Sequence, residues 1–459
     1  MESTFVFYDL ETSGLNKAFD QVLQYAGVRV DQNLEPIEEY EYRVKLHADV
    51  LPAPEAICTH GIGIYDYQDA EPEVQAIRHI HQIHNEPGTI SGGYNTLGFD
   101  DEFLRFSFYR NLLHPYSHQY NNQCGRFDIY AILPFYYLYA NDVIAWPSKN
   151  GKVSLKLDAL NQENNWLTGQ AHEAMHDVRV TLELARRLKA HDEGKWQYVM
   201  SYFNKQADSQ RITQLPVIKH LGEHVLRGGL MISGYFAAAG FVKPVLYLGV
   251  HHHYKNQGMW LLLDDLLEID AEPQKVIIKK KLGEAPFVLP LEERFDHFLS
   301  EQIRENIAAN FDFIDQNPEL IMAWSNSQKD AVLPTLEDCD PDAMLYQEGF
   351  RSNSDFMWGM DFHHHPMDKK VSMLTQAPSP IMQTQAARII CRNFPDAAEA
   401  MVWDMSQLDQ RGCDHLGRFP ADVAELLART KQLMSQDPSA EIAPKLKEYI
   451  SYLEERGHA

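Results

Sequence analysis

Thr4-Phe5-Val6-Phe7-Tyr8-Asp9-Leu10-Glu11-Thr12 is a β-branched and aromatic run that ends in two acids. Such a run reads as a strand. Side chains two apart on a strand share a face, so the carboxylates of Asp9 and Glu11 point to one spot. Two anions that close repel unless a cation lies between them, and hard cations such as Mg2+ prefer oxygen ligands. Taken alone, Asp-x-Glu is common and fits a solvated strand end as well.

Working outward, residues 22–30 form a second β-rich run, followed by a turn at Asp31-Gln32-Asn33 and a third run at 40–46. This pattern predicts an antiparallel meander. Residues 72–85 read as a helix, 89–94 as a strand, 100–113 as a helix and 126–139 as a buried helix. Ser154 is placed to cap a helix through residue 161. Met175, Val178, Leu182, Ala185 and Leu188 recur at mostly three- and four-residue spacing, so 171–190 reads as a helix. A meander followed by alternating strands and helices implies an α/β or α+β domain. After about residue 192 the texture changes. Runs at 217–226, 242–251 and 259–267 are β-like, with Gly228-Gly229 and Asn256-Gln257-Gly258 as turns. Residues 291–330 turn helical, and 373–457 are helical with breaks at Pro378, Pro380, Pro395, Pro420 and Pro438. No internal repeat is present.

The 459 residues suggest two to four domains at roughly 100–200 residues each. With 44% hydrophobic and 23% charged residues, wholesale disorder is excluded, and 25 Gly and 23 Pro without a period exclude a collagen-like chain. Cys58, Cys124, Cys339, Cys391 and Cys413 form no Cys-x-x-Cys, which points to a reducing, cytoplasmic setting. Met1-Glu2-Ser3-Thr4 lacks a basic region, so no signal peptide is expected, and no apolar run approaches the ~20 residues of a membrane span. The balance of 41 Lys+Arg against 65 Asp+Glu, net −24, argues against a non-specific nucleic-acid coat. It leaves room for an enzyme whose carboxylates are offset by metals.

Two further acidic elements stand out. Gly93-Tyr94-Asn95 ends a strand, and Asp100 and Asp101 open a helix, which puts an acid where open α/β sheets form sites. Either acid also suits an N-cap, and the two compete for a metal role. In Ala171-His172-Glu173-Ala174-Met175-His176-Asp177-Val178, Asp177 begins an amphipathic helix. An acid there is costly unless paired or coordinated, and His172 has the side chain suited to taking a proton near neutral pH. The clusters at 251–253 and 363–365 read as surface or loop histidines.

Asp9-x-Glu11, Asn95-x4-Asp100 and His172-x4-Asp177, in that order, resemble the DEDD exonucleases with histidine in the last motif. The resemblance covers about residues 4–190 and narrows to the bacterial exodeoxyribonuclease I family. It is carried further by Phe108-Tyr109-Arg110-Asn111, Leu345-Tyr346-x2-Gly349-Phe350 and Ala387-Arg388-x3-Arg392-Asn393-Phe394-Pro395.

The resemblance implies a ribonuclease H-like nuclease domain, a mixed five-stranded sheet flanked by helices, over residues 1–192. It also implies an SH3-like β-rich domain with a helical extension over 193–343 and an all-helical domain over 344–459, arched into a C-shaped clamp. It further implies processive 3′-to-5′ degradation of single-stranded DNA to 5′-mononucleotides with two Mg2+ ions, Mn2+ able to substitute, in DNA repair or recombination. Asp9 would bridge both ions, Glu11 and Asp177 would hold one, Asp100 would help hold the other, and His172 would be the base. Glu11, Thr12, Arg105, Tyr116, Tyr120 and Lys156 would contact the strand. Arg105 also fits a solvated helix face, the tyrosines core positions and Lys156 surface charge. Pro134 departs from the family, which can carry a basic residue there. The partners implied are single-stranded DNA and the C-terminal tip of single-stranded-DNA-binding protein, for a monomer with no membrane association. An exoribonuclease or proofreading exonuclease is the alternative within the class, and a non-catalytic nucleic-acid-binding scaffold the alternative outside it.

Overall fold

The computed structural model describes residues 3–169, 173–394 and 411–457. The opening run forms β1 (Thr4–Thr12), which continues through both acids. β2 (Val22–Val30) and β3 (Pro36–Arg43) complete the meander. The third strand starts four residues before its expected place because the chain turns as soon as Leu34 takes a left-handed φ of 66°. β4 (Thr89–Gly93) and β5 (Gly125–Asp128) extend the sheet, whose order is β3-β2-β1-β4-β5. β1 runs antiparallel to β2 and parallel to β4, as a mixed ribonuclease H-like sheet requires.

Helices α1 (Pro54–His60), α2 (Glu73–Asn85) and α3 (Asp100–Arg110) follow. Val6, Tyr8 and Leu10 alternate along β1 into a core with Ala76, Ile77 and Ile80 of α2 and Phe103, Leu104 and Phe108 of α3. Asp9 and Glu11 occupy the intervening positions and so lie on the other face. Truncating Ile77 or Ile80 in this core would cost about 2–5 kcal/mol.

Residues 126–139 are not one helix. β5 ends at Asp128, whose carboxylate caps α4 (Ile129–Tyr139) by accepting from the Ala131 N–H at 3.4 Å. The apolar run continues across the junction, which hid the strand. Ser154 does not cap the next helix, α5 (Leu157–Asn164), whose N-cap is Lys156. Instead, the Ser154 hydroxyl accepts from the Lys156 N–H at 3.4 Å. α6 (Ala174–His191) is the helix that carries Asp177.

Contacts divide the chain into two compact units, one of Met1–Arg126, Gly169–Leu182 and Thr335–Ala459, the other of Phe127–Thr168 and Glu183–Pro334. In the second unit the strands Ile277–Lys281, Gln257–Leu262, Val242–Val250, His224–Ile232 and Phe287–Pro290 lie side by side in that order, and Val217–Leu221 also pairs with His224–Ile232. Gly228 and Gly229 are therefore inside a strand, not a turn. A Cβ at Gly229 would stand 2.5 Å from Cγ1 of Val288 on the neighbouring strand.

In the first unit, helices Asn353–His364, Met367–Met373, Pro380–Asn393, Val423–Met434 and Ile442–Gly457 account for the described part of the helical tail. Leu426, Leu446, Tyr449 and Leu453 of that tail bury against Ile57 and Ile64. Pro395 lies outside the described residues. Two histidines read as surface groups are buried. His251 bonds through Nε2 to the Ala331 carbonyl at 3.0 Å, and His363 through Nε2 to the Asn111 carbonyl at 2.7 Å.

Candidate active site

β1 pairs with β4 only up to Phe7, opposite Gly92, so the next residues of both strands leave the parallel ladder together. Gly93 lets them stay close: a Cβ there would lie 2.2 Å from the Tyr8 carbonyl oxygen. Asn95 then adopts a left-handed φ of 61° and the chain enters α3 with Asp100 as its first residue. The N-cap is Phe99, without a side-chain cap, so neither Asp100 nor Asp101 caps the helix. The Asp100 Oδ1 accepts the Leu10 N–H at 3.2 Å, which holds its carboxylate beside Asp9 and Glu11.

The electrostatics place all four expected acids in one neighbourhood. Burial, then the carboxylates of Asp100 and Asp177, push half-buried Asp9 well above the usual carboxylate range. Burial, then Asp9 and Asp177, push Glu11 up to about 9. Like charges in a shared site raise one another's affinity for protons, and a divalent cation relieves the same repulsion. Among the described residues no three His, Cys, Asp or Glu side chains are drawn into an ion-holding arrangement. The donor set nevertheless fits a hard divalent cation, because it consists of carboxylate oxygens whose mutual repulsion such an ion cancels. His172, the expected base, lies outside the described residues.

Asp101 has a different fate from Asp100. It is buried among Arg105, Arg126 and His118: Arg126 Nη1 is 2.6 Å from Oδ2, His118 Nε2 is 2.9 Å from Oδ1, and Arg105 pairs through Nη2. Burial alone would raise its pKa, but Arg105, Arg126 and His118 hold it well below the usual range. Asp101 is thus paired internally, while Asp100 faces the other carboxylates. No local signal in the sequence marks Arg126 and His118 as Asp101's partners, because they are 25 and 17 positions away.

Arg105 is not a solvated helix face: it is buried, paired with Asp101 and placed 5.9 Å from the Tyr116 ring centre. Tyr116 is half-buried and meets Phe350 edge-on at 6.0 Å, and Tyr120 is exposed with its hydroxyl 3.3 Å from His114 Nε2. Thr12 is buried and donates to the Gly14 carbonyl at 2.8 Å. Lys156 is exposed and belongs to the second unit. Pro134 is buried within α4. A cavity of about 1160 Å³ opens beside Glu11 and Thr12, within the first unit.

Residues 6–185 match the family model described as exonuclease. Exodeoxyribonuclease I of Escherichia coli is 30% identical over 284 residues, 59% of this chain and 57% of that protein. The Haemophilus influenzae enzyme of the same name is 30% identical over 272 residues, 58% of this chain and 55% of that protein. The chain thus aligns with under two thirds of the length of these relatives. In fold, the crystal structure of E. coli exonuclease I with a dA16 oligonucleotide matches with a TM-score of 0.84 at 23% identity, covering 99% of this chain and 100% of that one. A zinc-bound complex of that protein with single-stranded DNA matches with a TM-score of 0.82 at 22% identity, covering 99% of each chain. No described helix is long and apolar enough to cross a membrane. The chain thus carries an exonuclease-family match over residues 6–185, is similar in sequence there and beyond to bacterial exodeoxyribonuclease I proteins, and is similar in fold to one of them over nearly its whole length.

Proposed function

We propose that this chain is a 3′-to-5′ exonuclease that releases 5′-mononucleotides from single-stranded DNA. The observation that carries the reading is the convergence of Asp9, Glu11, Asp100 and Asp177 from three separate segments at the end of β1, where Asp100 accepts the Leu10 N–H and burial, then the neighbouring carboxylates, raise Asp9 and Glu11. The relatives' solved complexes with oligonucleotides support the choice of a single strand.

Asp9, Glu11, Asp100 and Asp177 would hold two Mg2+ ions, with Mn2+ as a substitute. When bound, these ions would stabilise the charge that builds on the attacking oxygen, the non-bridging phosphoryl oxygens and the leaving O3′. His172 takes the proton of the attacking water. The water oxygen bonds to phosphorus, the P–O3′ bond breaks, and the products are a 5′-mononucleotide and a strand with a new 3′-hydroxyl. Leu10 orients Asp100 through its backbone N–H, and the Asp101 clamp keeps the start of α3 in place. The three-part division at residues 192 and 343, processivity, a role in DNA repair, a cytoplasmic monomer and docking of the single-stranded-DNA-binding protein tip belong to the same reading.

The test is a labelled single strand incubated with Mg2+ and then with chelator. Stepwise loss of mononucleotides from the 3′ end, stopped by chelator and absent in a folded Asp9→Ala variant, is expected. Normal cleavage by that variant, or cleavage of RNA in preference to DNA, overturns the proposal.

A further inference from the structure

The cavity beside Glu11 and Thr12 is closed on another side by a distant piece of the chain. Phe419, 63% exposed, lines it together with Leu15 and Phe99. An aromatic ring that exposed contributes little to packing, and among the described residues Phe419 joins none of the core clusters around it.

Its position is set by a rigid turn. Buried Asp414 accepts the Leu416 N–H at 2.8 Å, the Arg418 N–H at 2.9 Å and the Arg418 Nε at 2.8 Å. Gly417 closes the turn at a φ of 79°. The turn is tied to the loop that follows β1: Asn16 Nδ2 donates to Asp414 Oδ2 at 3.1 Å. The same Asn16 caps its own loop through Oδ1 to the Ala18 N–H at 3.1 Å, and its N–H donates to Asp20 at 2.8 Å. The backbone of Cys413 adds a parallel β-bridge to that of Cys339, both thiols being free. Strand end, loop and turn therefore form one hydrogen-bonded body that presents Phe419 to the cavity that Glu11 also lines.

Arg418 stands beside it, but its charge is taken up by Asp414 at 2.7 Å. Stacking, rather than charge, is what this position offers a nucleotide. We propose that Phe419 is the platform on which the base at the 3′ end of the bound strand stacks, so that the C-terminal segment completes the nuclease site. This rests on the reading of the site as a single-strand exonuclease.

The test pairs Phe419→Ala with a short oligothymidylate whose 3′-terminal nucleotide lacks its base. The intact strand serves as control, and kcat/KM for the first cleavage is the readout. The wild-type protein should favour the intact end by about tenfold, the scale of one base–aromatic stack. Phe419→Ala should lose about tenfold on the intact end, little on the base-less end, and so lose the preference; Phe419→Trp should keep it. An equal loss on both strands, or a preference that survives in Phe419→Ala, overturns the proposal. If the wild-type protein cleaves neither strand with Mg2+ or Mn2+, the exonuclease reading fails separately. Fluorescence anisotropy of both strands in chelator then decides the platform: tighter binding of the intact end, lost in Phe419→Ala, upholds it, and equal binding overturns it.

Discussion

Replacing Glu11 by Gln removes a titratable carboxyl from a buried group of acids while keeping the side chain's shape. The folded protein holds the Glu11 proton up to about pH 9, whereas an ordinary glutamate loses it near 4.5. Between those values the native state binds more protons than the unfolded state, so stability falls as pH rises through the window. At pH 7.5, three units above the ordinary value, the cost reaches about 4 kcal/mol at 1.36 kcal/mol per unit. For a unit of this size that corresponds to roughly 8 °C in Tm, at about 2 °C per kcal/mol.

The assay is thermal unfolding of wild type and Glu11→Gln in chelator, at pH values from 5 to 8. The variant should gain on wild type steadily as pH rises, and the difference cancels other titrating groups common to both. Adding Mg2+ should then stabilise wild type more than the variant, by up to ~2.7 kcal/mol at a hundredfold excess over Kd. Parallel pH curves for the two proteins in chelator would refute the reasoning, because they would mean that neither burial nor the neighbouring carboxylates raise Glu11's affinity for its proton.

Three further outcomes follow from the same geometry. Asp101→Asn leaves Arg105 and Arg126 without their buried counter-charge and should destabilise the protein by about 3–5 kcal/mol, measurable as a fall in Tm that a Lys17→Ala control does not share. Gly93→Ala places a methyl 2.2 Å from the Tyr8 carbonyl oxygen; it should cost about 1–3 kcal/mol in thermal unfolding and weaken Mg2+-dependent stabilisation, as Asp100 moves off Leu10. His363, buried mainly at the expense of its charged form, titrates at about 4 instead of 6.5. Its neutral form is favoured only in the folded state, so stability is lost as pH falls from 6.5 to about 4, by up to about 3 kcal/mol. His363→Gln should flatten that acid limb, seen as a smaller drop in Tm between those pH values.

The first strand, its meander and the acids at its end were legible because they depend on local alternation: Val6, Tyr8 and Leu10 go inward, which leaves Asp9 and Glu11 together on the other face. The same holds for α2 and α6, whose apolar stripes repeat within a few residues. Where neighbouring residues give no contrast, the reading failed. β5 vanished into the apolar run that continues as α4. Gly228-Gly229 looked like a turn because the side chains that explain the glycines, Ile218 against Gly228 and Val288 against Gly229, lie on neighbouring strands. His363 looked exposed because its partner is the carbonyl of Asn111, far back in the chain.

By itself, then, the sequence determined which acids exist, their spacing and the strand that presents the first pair. The tertiary structure decided that Asp100 rather than Asp101 joins them, because Arg126 and His118 come from elsewhere to neutralise Asp101. It also brought the turn carrying Phe419 to Asn16, across a separation of 398 residues. Periodicity encodes which way a side chain faces; its counter-charge and its neighbours across a cavity are set by contacts between distant segments, which no local pattern records.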